Sequence, residues 1–146
     1  MFTDGKHILL LKRKGNSYNE FWSIPGGHAK IDEKPLEAAK RESLEECGSD
    51  SGSEFSHFIS YYGKLAFHTF FFKIKEPFDV TLSDEHSDYK WIQIEDVEDY
   101  KLHPKFRKNW YKFKKVIKKE FKFNVPFSEW LKIKDSSYIK YPFWKG

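Results

Sequence analysis

Glu42, Glu45 and Glu46 crowd three carboxylates into one short segment, with Arg41 directly before them and Glu33 further upstream. If the segment is helical, Glu42 and Glu46 form a like-charge i,i+4 pair, which costs roughly a few tenths of a kcal/mol when exposed. Partial desolvation raises the repulsion to roughly 3 kcal/mol per pair at an effective dielectric of about 20 and a separation of about 5 Å. Glu37 can pair with Lys40 and Arg41 as an ordinary solvated charged face. Glu42 and Glu46 resist that account, because no lysine stands between them. A divalent cation would remove the penalty. All-oxygen ligation suits Mg²⁺ or Mn²⁺, and Mg²⁺ normally shares its shell with waters and substrate phosphates.

The elements that must position these groups are legible in outline. Pro35 fits the first turn of a helix over 35–47 that Gly48 closes. At 100° per residue, Leu36, Ala39, Ser43 and Cys47 share one face, while Glu42, Glu45 and Glu46 lie on the other side. Upstream, Pro25-Gly26-Gly27 breaks regular structure. Residues 7–12 (HILLLK) read as a buried strand, and Thr3-Asp4-Gly5-Lys6 as a tight turn before it. Such a hairpin needs a preceding strand, and only Met1 and Phe2 precede it, so the first strand is expected to be absent or the turn to be a frayed end. Residues 55–62, 68–74 and 89–94 read as further strands, rich in aromatic and β-branched side chains. Phe106, Trp110, Phe113, Ile117 and Phe121 recur at helical spacing, with Lys105, Lys108, Lys112, Lys115 and Lys119 opposite them. The expected fold class is α+β, an α/β/α sandwich with a mixed sheet flanked by helices. It divides into a domain over 1–123 and an aromatic, aperiodic tail over 124–146 packed on that domain or on a second copy.

Composition bounds the function. The chain has 146 residues, 39% of them hydrophobic, enough for one domain with a modest core. No stretch approaches the roughly 18 apolar residues that cross a bilayer, and charges flank both sides of the apolar run near the N-terminus, so neither membrane insertion nor secretion is expected. The single cysteine, Cys47, excludes an internal disulfide and a cysteine-rich zinc site, and suits a reducing cytoplasm. Net charge is +4, a weak bias toward anionic ligands. The basic residues are unevenly placed: between Lys101 and Lys122 ten lysines or arginines face one acid, Glu120.

Gly27, five residues, Glu33, seven residues, then Arg41-Glu42-Ser43-Leu44-Glu45-Glu46-Cys47-Gly48 resembles the Nudix box, G-x5-E-x7-R-E-U-x-E-E-x-G-U, with every charged and glycine position filled. Phe21-Trp22-Ser23-Ile24-Pro25-Gly26 is similar to the family's approach to the box. Ser43 and Ser49 stand where bulky aliphatics are usual. The resemblance implies a Nudix fold over roughly 7–121 and hydrolysis of the diphosphate bond of a nucleoside diphosphate linked to a further group. It implies that Glu42, Glu45 and Glu46 hold Mg²⁺ or Mn²⁺, that Arg41 orients a carboxylate with Glu33 as partner, and that Gly27 lets the backbone approach metal or phosphate. In this family the general base is either a box glutamate, here Glu42, or a carboxylate from a downstream loop, here Glu85. His28 and His86 are candidates to touch phosphate.

The substrate is left open among nucleoside triphosphates, ADP-ribose or nucleotide sugars, dinucleoside polyphosphates and the 5′ end of RNA. Tyr61, Tyr62, Phe70, Phe72 and Trp91 are candidates to stack a base, most of them expected in the core. Two further readings stand beside the hydrolase: a non-catalytic module that binds nucleotide or RNA through the basic last helix, and an assembly role in which the aromatic tail pairs two copies as a homodimer.

Overall fold

A computed structural model describes residues 1–15 and 17–122. The aromatic tail expected to pack on the domain or on a second copy lies outside the described residues. The order of elements is β1 (Phe2–Thr3), β2 (His7–Arg13), β3 (Trp22–Ser23), α1 (Pro35–Cys47), β4 (Ser53–Tyr62), β5 (Leu65–Lys73), β6 (His86–Gln93), a 3₁₀ turn (Ile94–Asp99) and α2 (Pro104–Phe121).

β2 organises the sheet. Along one edge it pairs antiparallel with β6, Leu9 opposite Trp91. The other edge is shared: β1 pairs near its start, Thr3 opposite Ile8, and β3 near its end, Leu11 opposite Ser23. β1 then runs parallel to β5, which forms an antiparallel hairpin with β4. No pairing joins β3 to β5, so the sheet opens between them, and that opening becomes a cleft.

The segment before the turn, expected to mark either a missing first strand or a frayed end, forms the strand β1. It is only two residues long, too short for a pattern reading to register, yet Phe2 and Thr3 are wholly buried. The turn after it is held by side chains. Asp4 Oδ1 accepts hydrogen bonds from the Lys6 and His7 amides at 2.9 and 2.7 Å, and the Thr3 hydroxyl donates to the His7 carbonyl at 2.8 Å. This Asx-type geometry lets so short a segment reverse direction.

Alternation along β2 divides the core in two. Ile8 and Leu10 face Phe106, Trp110, Phe113 and Ile117 of α2. Leu9 and Leu11 face the other layer, where Phe2, Phe70, Phe72 and Cys47 pack with Leu36 and Ala39 of α1. The two helices thus sandwich a mixed sheet, as expected. Phe2 is the link: its ring packs on Phe72 at 5.6 Å and edge-on to Phe78 at 5.2 Å between centroids. Phe2→Ala is therefore expected to destabilise the fold by about 3–5 kcal/mol, read as a fall in thermal midpoint of roughly 10 °C. A loss under about 1 kcal/mol would mean that β1 does not hold β2 to β5.

Candidate active site

α1 begins with Pro35 at its first position, where the missing amide costs nothing. Lys34 offers no side-chain cap, but Glu37 reaches back to accept from the Lys34 amide at 3.4 Å. The helix stops at Gly48, whose φ of 76° is left-handed and whose amide donates to the Leu44 carbonyl at 3.0 Å. Ser43, at a position where a larger aliphatic is usual, is buried, and its small side chain allows close approach of helix and sheet.

Arg41 is the hub of the polar face. Its Nε and Nη2 donate to the two oxygens of Glu33 at 2.8 and 3.0 Å. Nη1 donates to Glu42 at 2.9 Å and to Glu45 at 3.2 Å, and Nη2 also reaches the His28 carbonyl at 3.1 Å. This two-pronged grip on Glu33 holds its carboxyl down at about 2, with a backbone bond from Lys30 assisting. The guanidinium is correspondingly pushed up, first by Glu33 and then by Glu42 and Glu45. The pairing of Arg41 with Glu33 expected across the loop is thus present.

Glu46 differs from its neighbours. Helical periodicity alone sets it beside Glu42 and Glu45 on a solvent face, but it is 3% exposed, because the loop at Pro25-Gly26-Gly27 folds over that side of the helix. Its Oε2 accepts from the Gly26 amide at 3.3 Å. Burial, the hydrogen-bonded Glu42 carboxylate and the charges of Glu42 and Glu85 push its pKa up to about 8. Gly27 closes the seam: a Cβ there would lie 2.5 Å from the Glu42 carboxyl carbon. The residue is glycine because the carboxylate already occupies the space a side chain would need.

Glu85 and His86 arrive from the opposite wall, at the start of β6. Glu85 is exposed and carries no side-chain ion pair among the described residues, yet its charge is felt at Glu46. The His86 ring is mostly buried, with Nε2 4.0 Å from Glu46 Oε2 and Nδ1 without a hydrogen-bond partner among the described residues. Burial holds its pKa down at about 4, so the imidazole is neutral at physiological pH.

Beside this seam lies a cleft of about 400 Å³ in the opening between β3 and β5. Ile24, Pro25, Gly26, Gly27 and His28 form one wall, the same backbone that covers the carboxylates. The other walls bring Arg13, Tyr18, Tyr62, Phe67, Lys105 and Asn109 from five separate segments. The Tyr18 ring packs tilted against His103 at 4.3 Å between centroids, and the Lys105 ammonium sits 4.0 Å from the Phe67 ring centre. Of the five aromatics considered for base stacking, only Tyr62 lines the cleft. Phe70 and Phe72 are core, Trp91 is tied to the Phe78 carbonyl, and Tyr61 is 69% exposed elsewhere on the hairpin. Tyr18, Phe67 and Asn109 were not legible as site residues, since nothing in their local sequence says which chain segments face one another across the gap, and Lys105 was legible only as part of the basic helix face.

The donor set fits a divalent cation. Glu46 is a buried carboxylate with one backbone donor, no cationic side chain hydrogen-bonded to it and a second carboxylate against it, an arrangement that favours a positive ion. Among the described residues no group of three or more His, Cys, Asp or Glu side chains is gathered closely enough to hold a metal ion. Glu42 and Glu46 meet at the seam, whereas Glu45 lies over Arg41 with its side chain 54% exposed. No helix among the described residues is long and apolar enough to cross a membrane.

Comparison with known proteins agrees with this architecture. Over 43 residues the chain is 51% identical to the m7GpppN-mRNA hydrolase NUDT17 of Danio rerio, covering 27% of this chain and 14% of that protein. The chain thus spans only a small part of that relative's length. Among solved structures it is similar to an Ap4A hydrolase of C. elegans, with 26% identity, a TM-score of 0.65 and coverage of 76% of this chain and 86% of that one. It is also similar to a MutT protein of Methanosarcina mazei, with 26% identity, a TM-score of 0.60 and coverage of 79% and 87%. The family description "NUDIX domain" matches residues 1–117, and with the box residues assembled as described, the chain belongs to the NUDIX domain family.

Proposed function

We propose that the protein is a metal-dependent hydrolase that cleaves the diphosphate bond of a nucleoside diphosphate linked to a further group. The observation that carries this reading is the shared backbone at residues 25–28: one side covers the Glu42–Glu46 carboxylate seam, the other lines a cleft with aromatic and cationic walls. Glu42, Glu45 and Glu46 would hold Mg²⁺ or Mn²⁺. When bound, such an ion neutralises the diphosphate oxygens and acidifies a water.

The chain's own groups supply the rest. Arg41 fixes Glu33, Glu42 and Glu45 relative to one another and ties them to the loop at His28. The water oxygen bonds to phosphorus, its proton passes to a carboxylate, and the bridging P–O bond breaks to release a phosphorylated leaving group. Of the two candidate bases, Glu85 is the freer, since Glu42 is engaged by Arg41. His28 and the backbone at Gly27 lie where the phosphates would pass from cleft to seam. Aromatic walls with Arg13 and Lys105 suit a planar base on an anionic tail. The names of the relatives span a dinucleoside polyphosphate and capped mRNA, so the group beyond the diphosphate is the open variable. A cytoplasmic setting agrees with the buried, unpaired Cys47.

The test is release of phosphate or pyrophosphate from a panel of nucleoside triphosphates, ADP-ribose, nucleotide sugars, dinucleoside polyphosphates and 5′-triphosphorylated RNA with Mg²⁺ or Mn²⁺. Turnover of at least one class, abolished in Glu45→Gln, is the expected result; a folded protein silent on the whole panel would refute it. A sharper prediction concerns Gly27. The atoms nearest a Cβ there are all at the flexible end of Glu42, so Gly27→Ala displaces that carboxylate by an ångström or so without disturbing the core. Turnover should fall about 10²-fold while the thermal midpoint stays within about 2 °C. Equal damage to both would mean the glycine serves the fold alone.

A further inference from the structure

The basic stripe on α2 is not used by this chemistry, and it begins where the cleft ends. Lys105 belongs to the cleft wall, with its ammonium 5.2 Å from the Tyr62 ring centre. One turn on, the Lys108 ammonium lies 5.3 Å from the same Tyr62 ring centre. Lys112 follows over Phe58 at 5.6 Å and over Tyr111 at 5.7 Å, and Lys115 over Tyr111 at 5.8 Å. Cations and rings therefore alternate along a ridge between α2 and β4, starting at the cleft mouth.

None of Lys108, Lys112 and Lys115 has an ion pair among the described residues, whereas two acids of the same region are paired with other lysines. Glu120 pairs with Lys73 at 3.1 Å, and Glu98 with Lys114 at 3.4 Å on another flank. β4 carries a single carboxylate, Glu54, near its far end. Side chains three and four apart on a helix repeat at about 5–6 Å, a ladder of cations suited to a chain of regularly spaced phosphates. A mononucleotide in the cleft reaches Lys105 and goes no further. Only a strand that continues past the reacting end can meet the next three lysines, and Tyr111, 53% exposed, offers a face on which an unpaired base can stack.

We propose that Lys108, Lys112 and Lys115 form a track for the phosphate backbone of a single-stranded nucleic acid whose 5′ diphosphate linkage enters the cleft, making the substrate a 5′ end rather than a free nucleotide. This rests on the hydrolase reading above and assigns its substrate class. The continuity of the ridge with the cleft favours a nucleic acid over an anionic lipid surface, for which the cleft mouth would have no use.

The experiment compares a 5′-triphosphorylated ten-nucleotide RNA with the corresponding nucleoside triphosphate, in the wild type and in the triple variant Lys108→Glu, Lys112→Glu, Lys115→Glu. These side chains are outside the site that handles the triphosphate, so circular dichroism and triphosphate turnover should match the wild type. In 50 mM salt the wild type is expected to favour the RNA at least 10-fold in kcat/KM, and the triple variant to lose that preference. Binding of the same RNA to Glu45→Gln protein, followed by fluorescence anisotropy, should lose about 2 from its slope against log salt when the three lysines are reversed, since each single-strand phosphate contact contributes about 0.7. RNA turned over no better than the triphosphate, a preference that survives the triple reversal, or lysine-dependent binding to phosphatidylserine vesicles without binding to RNA would each overturn the track. Salt-dependent RNA binding lost in the triple variant, with no turnover of either substrate by the wild type, would support the track and sink the hydrolase reading instead.

Discussion

Glu46→Gln should lower turnover on the order of 10³-fold and yet yield a protein that resists heat better than the wild type at pH 8.5. The two effects have one cause. Glu46 is buried against a second carboxylate, which is useful for holding a cation and costly for the folded chain without one. An ion that stabilises developing phosphate charge contributes several kcal/mol to the transition state, and each 1.4 kcal/mol or so is a factor of ten in rate. The stability effect follows from the carboxyl's pKa, raised from 4.5 in the free residue to about 8 by burial first and then by Glu42 and Glu85. Folded protein keeps a proton on Glu46 that the unfolded chain releases near pH 4.5. The stability this provides is complete below that pH and lost as pH rises through about 8.

Glutamine removes the titration. In excess chelator, the thermal midpoint of Glu46→Gln relative to wild type should therefore climb between pH 5 and pH 8.5, and Mg²⁺ or Mn²⁺ should raise the wild type's midpoint while leaving the variant's unmoved. Scanning calorimetry across that range checks both. Parallel pH profiles for the two proteins would show that Glu46 is not the strained group, and undiminished turnover would remove it from the machinery.

The burial of Glu46 also marks where the sequence ceased to be readable. Spacing placed the three glutamates on one helix and Gly48 at its end, because helical periodicity and the left-handed stop are local properties. α2 was readable for the same reason, its apolar stripe and its lysines being set by a repeat of 3.6. Periodicity gives the directions of side chains but not what covers them, so the loop at 25–27 was legible as a break in regular structure but not as the cover over Glu46. β1 escaped notice because two residues carry no alternation, and its place is fixed by what Phe2 packs against rather than by its own propensity. β3, also two residues long, is held by pairing with the end of β2. The gap between β3 and β5 follows from these two short strands, which is why the cleft and its walls at Tyr18, Phe67 and Asn109 became visible only with the sheet assembled. The box motif is compact enough to survive in one dimension; the cleft beside it is not.

Arg41→Lys should keep the charge and lose the function, with kcat falling about 10- to 100-fold while KM for the nucleotide changes little. The guanidinium holds Glu33 with two nitrogens, spans Glu42 and Glu45 with a third and anchors the His28 carbonyl. An ammonium is a single point on a flexible stem and cannot satisfy four groups fixed around a plane. Groups that orient metal-holding carboxylates typically account for 10- to 100-fold in affinity or activity, and since the cleft walls at Tyr18, Tyr62 and Lys105 are untouched, ground-state binding of the base should persist. Glu33→Gln should reproduce much of the loss, because an amide cannot serve as acceptor with both of its ends. If the two residues act as one brace, the double variant will be barely worse than Arg41→Lys alone. The measurement is kcat as a function of Mg²⁺ for the two single variants and the double. Losses that multiply would show that Arg41 and Glu33 contribute separately, and a wild-type kcat in Arg41→Lys would mean that charge alone, rather than the planar fork, holds the glutamates in place.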